Sequence, residues 1–226
     1  MRKVVLTSLG FLGSLVMTFL FLTGLRGEEA ASVDNYVKLA LPHQIQGTTL
    51  VVENTVCYEG VFLESRIGEE VSAISGLLIR NAGQQGIENA DITVIQGERV
   101  LHFALSQLPP LASVLVLEST GQKYVKMPLQ SCSGIVKYES NGWDPDAYVT
   151  IRENNRGELE VTNIGLDPLV GLRLYYKPEY AEGEFYLGGI TREMEAGTLE
   201  PGQTVCLSPD NYCPGVSRIL RIAYDE

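Results

Sequence analysis

The sequence predicts an all-β protein of two tandem β-sandwich repeats behind an N-terminal transmembrane helix. Three observations carry this: a strand–turn–strand cassette that occurs twice, an uncharged opening run long enough to cross a bilayer, and short alternating strands through the rest. The first cassette reads Gly76-Leu77-Leu78-Ile79-Arg80-Asn81-Ala82-Gly83 and continues into Ala90-Asp91-Ile92-Thr93-Val94. The second reads Glu158-Leu159-Glu160-Val161-Thr162-Asn163-Ile164-Gly165 and continues into Leu172-Arg173-Leu174-Tyr175-Tyr176. Each is a strand, an Asn-x-Gly turn and a strand leading away. Later turns, Leu108-Pro109-Pro110 and Leu199-Glu200-Pro201, lead into further apolar strands. Asn81 and Asn163 are 82 positions apart, the length of one small sandwich.

The opening is Met1-Arg2-Lys3, then 22 uncharged residues from Val4 to Leu25, then Arg26. At about 1.5 Å per residue such a helix spans the roughly 30 Å hydrocarbon core. A cleavable signal has a shorter apolar region and small residues at its cleavage site, whereas Glu28 and Glu29 follow here. Arg2 and Lys3 place the amino terminus inside. Residues 1–26 therefore read as a signal anchor, with secretion after signal cleavage as the alternative. Residues 27–47 read as a stalk, either flexible or adding an edge strand to the first repeat.

Repeat one is expected over 48–139. Its strands are Thr49–Glu53, an extended approach at Cys57–Glu64, Val71–Arg80, Ala90–Ile95, Val100–Leu105, Ser113–Glu118 and Gly134–Tyr138, with a hairpin turn at Gln96-Gly97. About seven short strands with a turn every 8–12 residues predict an immunoglobulin-like sandwich. A turn-rich boundary, Glu139 to Asp146, carries the one tryptophan, Trp143. Repeat two, 147–226, has strands at Tyr148–Ile151, the second cassette, Tyr186–Thr191, Thr204–Leu207 and Arg218–Tyr224.

The net charge is −11, and all 28 acids follow Arg26. Nucleic-acid binding needs a basic patch, so that partner is excluded. The four cysteines, Cys57, Cys132, Cys206 and Cys213, come in an even number behind an export signal and predict disulfides. Of the three possible pairings, Cys57–Cys132 and Cys206–Cys213 are favoured. No Cys-x-x-Cys exists to hold zinc.

The phrases Tyr58-Glu59-Gly60-Val61-Phe62-Leu63-Glu64, Leu108-Pro109-Pro110, Val161-Thr162-Asn163, Tyr175-Tyr176-Lys177, Gly188-Gly189-Ile190-Thr191 and Ser208-Pro209 resemble those of exported two-repeat proteins of Gram-positive bacteria. Each repeat is also similar to bacterial adhesion-type immunoglobulin-like modules. The resemblance covers about residues 48–226. It implies a fold and a place outside the membrane, and no activity.

No catalytic residue or cofactor is expected. His102 alternates with Leu101 and Phe103 as a solvated strand residue, and His43 follows Pro42 in the stalk. Gly188-Gly189 lacks the spacing and the lysine of a phosphate loop. Two binding readings remain. Asp144 and Asp146 offer hard oxygens to calcium, although Asp-Pro-Asp is also ordinary turn chemistry. The aromatic run Tyr175, Tyr176, Tyr180, Phe185 and Tyr186 offers a surface to a protein or glycan, or packs as core and edge residues. The expected function is a membrane-tethered extracytoplasmic module, without catalysis, for interaction or envelope assembly. Its partners would be the membrane through the helix and a cell-envelope protein or glycan. The alternative is a carbohydrate- or calcium-binding surface protein.

Overall fold

The computed structural model describes residues 38–64, 69–139, 148–154, 156–180, 184–209 and 212–225. The expected anchor, most of the stalk, Trp143 and the calcium candidates Asp144 and Asp146 lie outside them. Among the described residues all regular structure is β, in fourteen strands, and no helix is long and apolar enough to cross a membrane.

In the first half, β1 (His43–Gln44), β2 (Leu50–Val61), β3 (Glu70–Asn81) and β6 (Ser113–Leu117) lie side by side. They face a three-stranded sheet in the order β5 (Arg99–Leu108), β4 (Ile87–Gln96), β7 (Ser131–Tyr138). In the second half, β8 (Val149–Glu153), β9 (Leu159–Asn163) and β13 (Thr204–Leu207) form one sheet. Opposite it, β10 (Leu169–Tyr180) is flanked by β12 (Arg192–Leu199) and β14 (Ser217–Asp225).

The two halves share a strand order. Leaving out β1 and a short strand β11 (Phe185–Leu187), each half puts its first, second and fifth strands in one sheet and its fourth, third and sixth in the other. Period-2 alternation makes these strands. In β5, Leu101, Phe103 and Leu105 are buried while Val100, His102 and Ala104 face out. The β4–β5 hairpin turns at Gly97, whose φ of 65° suits glycine.

Each half has its own core. In the first, Leu50, Val52, Leu77, Ile79, Val114 and Val116 meet Ile92, Val94, Leu101 and Phe103 of the facing sheet. In the second, Val149, Leu159 and Val161 meet Leu172, Leu174 and Leu199. Full burial of such a side chain contributes about 1.5–3 kcal/mol.

More than the connecting chain joins the halves. β11 pairs antiparallel with the end of β10 and parallel with β6, through Tyr186–Val114 and Leu187–Leu115. One sheet of eight strands therefore runs through both halves. This explains the unbroken apolar run of β6. Val114 and Val116 face the first core, whereas Leu115 and Leu117 face a third cluster with Val56, Tyr58, Ile74 and Leu187. A strand buried on both faces reads as continuous hydrophobic sequence.

Several boundaries differ from the sequence reading. β2 runs unbroken through Cys57, and the described part of the stalk follows the second of its two readings, supplying the edge strand β1. Leu39 and Leu41 pack on the first core, and Leu39 N–H donates to Leu129 O at 2.7 Å, so the first half begins well before residue 48. β12 was not anticipated. Its Arg-Glu-Met-Glu-Ala-Gly stretch lacks the β-branched and aromatic residues that mark strands, because most of its side chains are only partly covered.

Neither expected disulfide is present: all four cysteines are free thiols. Cys57 alternates with buried Val56 and Tyr58 on β2, so it turns away from their cluster. Cys132 is on β7, in the facing sheet, and packs against the first core. Cys206 is exposed on β13, and Cys213 lies in the turn before β14, where its N–H bonds Ser217 Oγ at 3.0 Å.

Candidate functional site

The duplicated asparagines organise the turns that open β4 and β10. Asn81 and Asn163 are both fully buried. Asn81 donates Nδ2–H to Gln85 O at 2.8 Å and Pro109 O at 3.1 Å, and its Oδ1 accepts the Gly83 N–H at 3.0 Å. Asn163 donates to Asp167 O and Leu199 O, both at 2.9 Å, and accepts the Gly165 N–H at 2.8 Å. One amide thus bonds two backbone carbonyls and a turn N–H in each half, and ties the Pro-containing turn to the cassette.

The densest buried chemistry lies where the halves meet. The loop after β11, Gly188 to Thr191, leans against the first half. Ser106 N–H donates to Gly189 O at 2.9 Å, and Thr191 exchanges bonds of 3.0 and 2.7 Å with Ser106. Gly189 fits only as glycine, since a Cβ there would sit 1.9 Å from Ala104 O.

Two ionisable groups clamp this loop. Glu64 comes from the chain just after β2. Its carboxylate accepts the N–H groups of Leu117 at 2.8 Å, Gly189 at 2.9 Å and Ile190 at 3.1 Å. Lys177 comes from β10 and is 1% exposed. Its ammonium donates to Gly188 O at 2.8 Å and also to Gly189 O. Burial pushes Lys177 down to about 7, opposed by the nearby Glu64 carboxylate. Burial likewise raises Glu64, while its three N–H donors and Lys177 pull it back. A third contact crosses the seam: Arg221 on β14 pairs with buried Glu139 at 2.6 Å. Burial raises Glu139, and Arg221 opposes that shift.

The aromatic run lies along the same seam and mostly packs. Tyr176 is buried, edge-on to Tyr212 at 5.6 Å. Tyr180 stacks on Phe185 at 4.9 Å, and both cover the third cluster. Tyr186 packs on the first core. Tyr175 is half-buried, with the Arg221 guanidinium 6.0 Å from its ring centre. Tyr176 is therefore closed to a surface ligand, while Tyr175, Tyr180, Phe185 and Tyr186 are each partly exposed.

Sequence reasoning missed Glu64 and Lys177. Each sits in a quoted phrase, Phe62-Leu63-Glu64 and Tyr175-Tyr176-Lys177, and the one signal available was a charge closing an apolar run. Buried Glu118 was missed too. It accepts the N–H groups of His102, Thr120 and Gln122 at 3.2, 2.9 and 2.8 Å. Elsewhere, β8 and β14 flank a groove of about 450 Å³ floored by Ile151, Leu159 and Ile219. Among the described residues no three His, Cys, Asp or Glu side chains are grouped to hold a metal.

Comparison of the chain with models of known protein families and with curated proteins finds no match.

Proposed function

We propose that this protein is a membrane-tethered, extracytoplasmic module, without catalysis, for interaction or envelope assembly. In this reading two immunoglobulin-like repeats, 48–139 with its leading segment and 147–226, stand outside the membrane behind a signal-anchor helix. The observation that carries it is the use made of buried charge. Glu64, Lys177 and Glu118 engage backbone groups that hold strands and turns together, which is a scaffold's use of ionisable side chains. The shared strand order supports the immunoglobulin-like assignment, and the 22 uncharged residues behind Arg2 and Lys3 support the tether.

Protease added to intact protoplasts tests this. Digestion of both repeats, with at most the anchor surviving, is expected. Repeats that survive until the membrane is opened would overturn the orientation. A mature chain beginning near Glu28 would replace the tether with secretion.

A further inference from the structure

The exposed end of the second half carries apolar residues that its own fold does not use. At the cassette turn Ile164 is 57% and Leu166 is 93% exposed. The first half provides an internal control. The same turn, capped by the same asparagine contacts, has Ala82 and Gln84 at the matching positions. The turn therefore does not need Ile164 or Leu166. Around them stand Tyr148, Val170 and Tyr224, all exposed by more than a third. These form one patch. Ile164 N–H donates to Tyr148 O at 2.9 Å, the Tyr148 and Tyr224 rings meet edge-on at 6.5 Å, and Val170 is in register with Asp225. The patch sits where β8 and β10 begin and β9 and β14 end, opposite the end of β10 that joins the seam.

Charge selects the partner. The rim carries the exposed acids Asp167 and Glu200, while Asp225 is paired to Arg173 at 2.7 Å. A second copy would bring the same acids, and an anionic lipid surface would be repelled. Apolar groups ringed by acids fit a partner that presents apolar side chains flanked by lysine or arginine. We propose that this tip docks a basic, apolar protein segment, with Ile164 and Leu166 as its central contacts. The inference rests on the interaction-module reading and gives that reading a site and a partner chemistry.

The probe is a short labelled peptide of alternating lysine and leucine, titrated against the full-length chain in nanodiscs of zwitterionic lipid. A lysine–serine peptide and a glutamate–leucine peptide serve as controls. The lysine–leucine peptide should bind best. It should protect residues 163–170 from hydrogen exchange and weaken about tenfold with I164A/L166Q, which installs the first half's own turn residues; two buried contacts readily carry such a factor. Tyr148→Ser should weaken it as well. Equal binding by wild type and I164A/L166Q would overturn the site, as would equal binding of the lysine–serine peptide. Concentration-dependent self-association lost in the variant would assign the patch to a second copy and overturn the proposal. Vesicle binding lost in the variant would do the same in favour of lipid. Protection that maps instead to the groove between β8 and β14 would sink the tip yet leave the interaction reading standing, whereas protoplasts whose repeats resist protease would sink the reading itself.

Discussion

Asn81 and Asn163 occupy equivalent places in the two halves: each donates to the carbonyl four residues on and accepts the N–H two residues on. Replacing either by alanine removes the bonds to two carbonyls and a turn N–H of a partly buried turn, at about 0.5–1.5 kcal/mol for each hydrogen bond lost. Asn81→Ala and Asn163→Ala should each lower the urea midpoint substantially. Asn→Asp at either site should also destabilise, because the donor to both carbonyls is lost while the acceptor remains. An unchanged midpoint for Asn163→Ala would show that the duplication is one of sequence and not of energetics.

Gly189→Ala should destabilise by about 1–3 kcal/mol, the usual range for overpacking. Its Cβ would collide with the Ala104 carbonyl, displacing the loop from both Ser106 and Glu64. Gly197→Ala is the comparison, since φ there is +75° but the space is open. Calorimetric melting should therefore show the larger fall for Gly189→Ala.

The buried lysine sets a pH dependence. Lys177 falls to about 7 in the folded chain, against about 10.4 for an unfolded lysine. Between these values the unfolded state binds more protons, so this group makes stability rise with pH from about 7 to about 10. Lys177→Met should remove that rise. Cys132 works in the opposite sense, since burial pushes its thiol up to about 11 and stability falls as it titrates. Denaturant midpoints across pH 6 to 10 for both proteins read the difference. Parallel curves for wild type and Lys177→Met would refute the assignment.

Thiol labelling should follow exposure. Cys206 should react first with iodoacetamide at neutral pH, and Cys132 last, because it packs on the first core and its thiolate is suppressed. Peptide mapping after timed quenching gives the order. Fast loss of Cys132 would mean that β7 opens readily.

Local patterns were legible in the sequence because they are local. Strand alternation, the Asn-x-Gly turns and the Gln96-Gly97 hairpin each depend on a few neighbouring residues. What escaped depends on residues far apart in the chain. Glu64 and Lys177 reach the same two-glycine loop from opposite halves, and nothing in Gly188-Gly189 announces that Ala104 O leaves no room for a side chain. The tyrosine run admitted two readings, a surface or core and edge residues, because its strand register does not show in the sequence. The alternation places Leu172, Leu174 and Tyr176 on the second core, leaving Lys177 to face the seam. The cysteine pairing failed for a similar reason: an even cysteine count does not say which side of a sheet a thiol faces.

The parallel pairing of β11 with β6 also bears on how two halves of like strand order can share a chain without sticking to its neighbours. The free side of β6 would otherwise present unpaired N–H and C=O groups beside Leu115 and Leu117, an invitation to any passing strand. Among the described residues β11 has no counterpart in the first half, and it lies across that border like a hem. The second unit thus finishes the first, so severing the chain between them would leave a pair still held together, while producing the first unit alone would yield a protein prone to aggregate through one named edge.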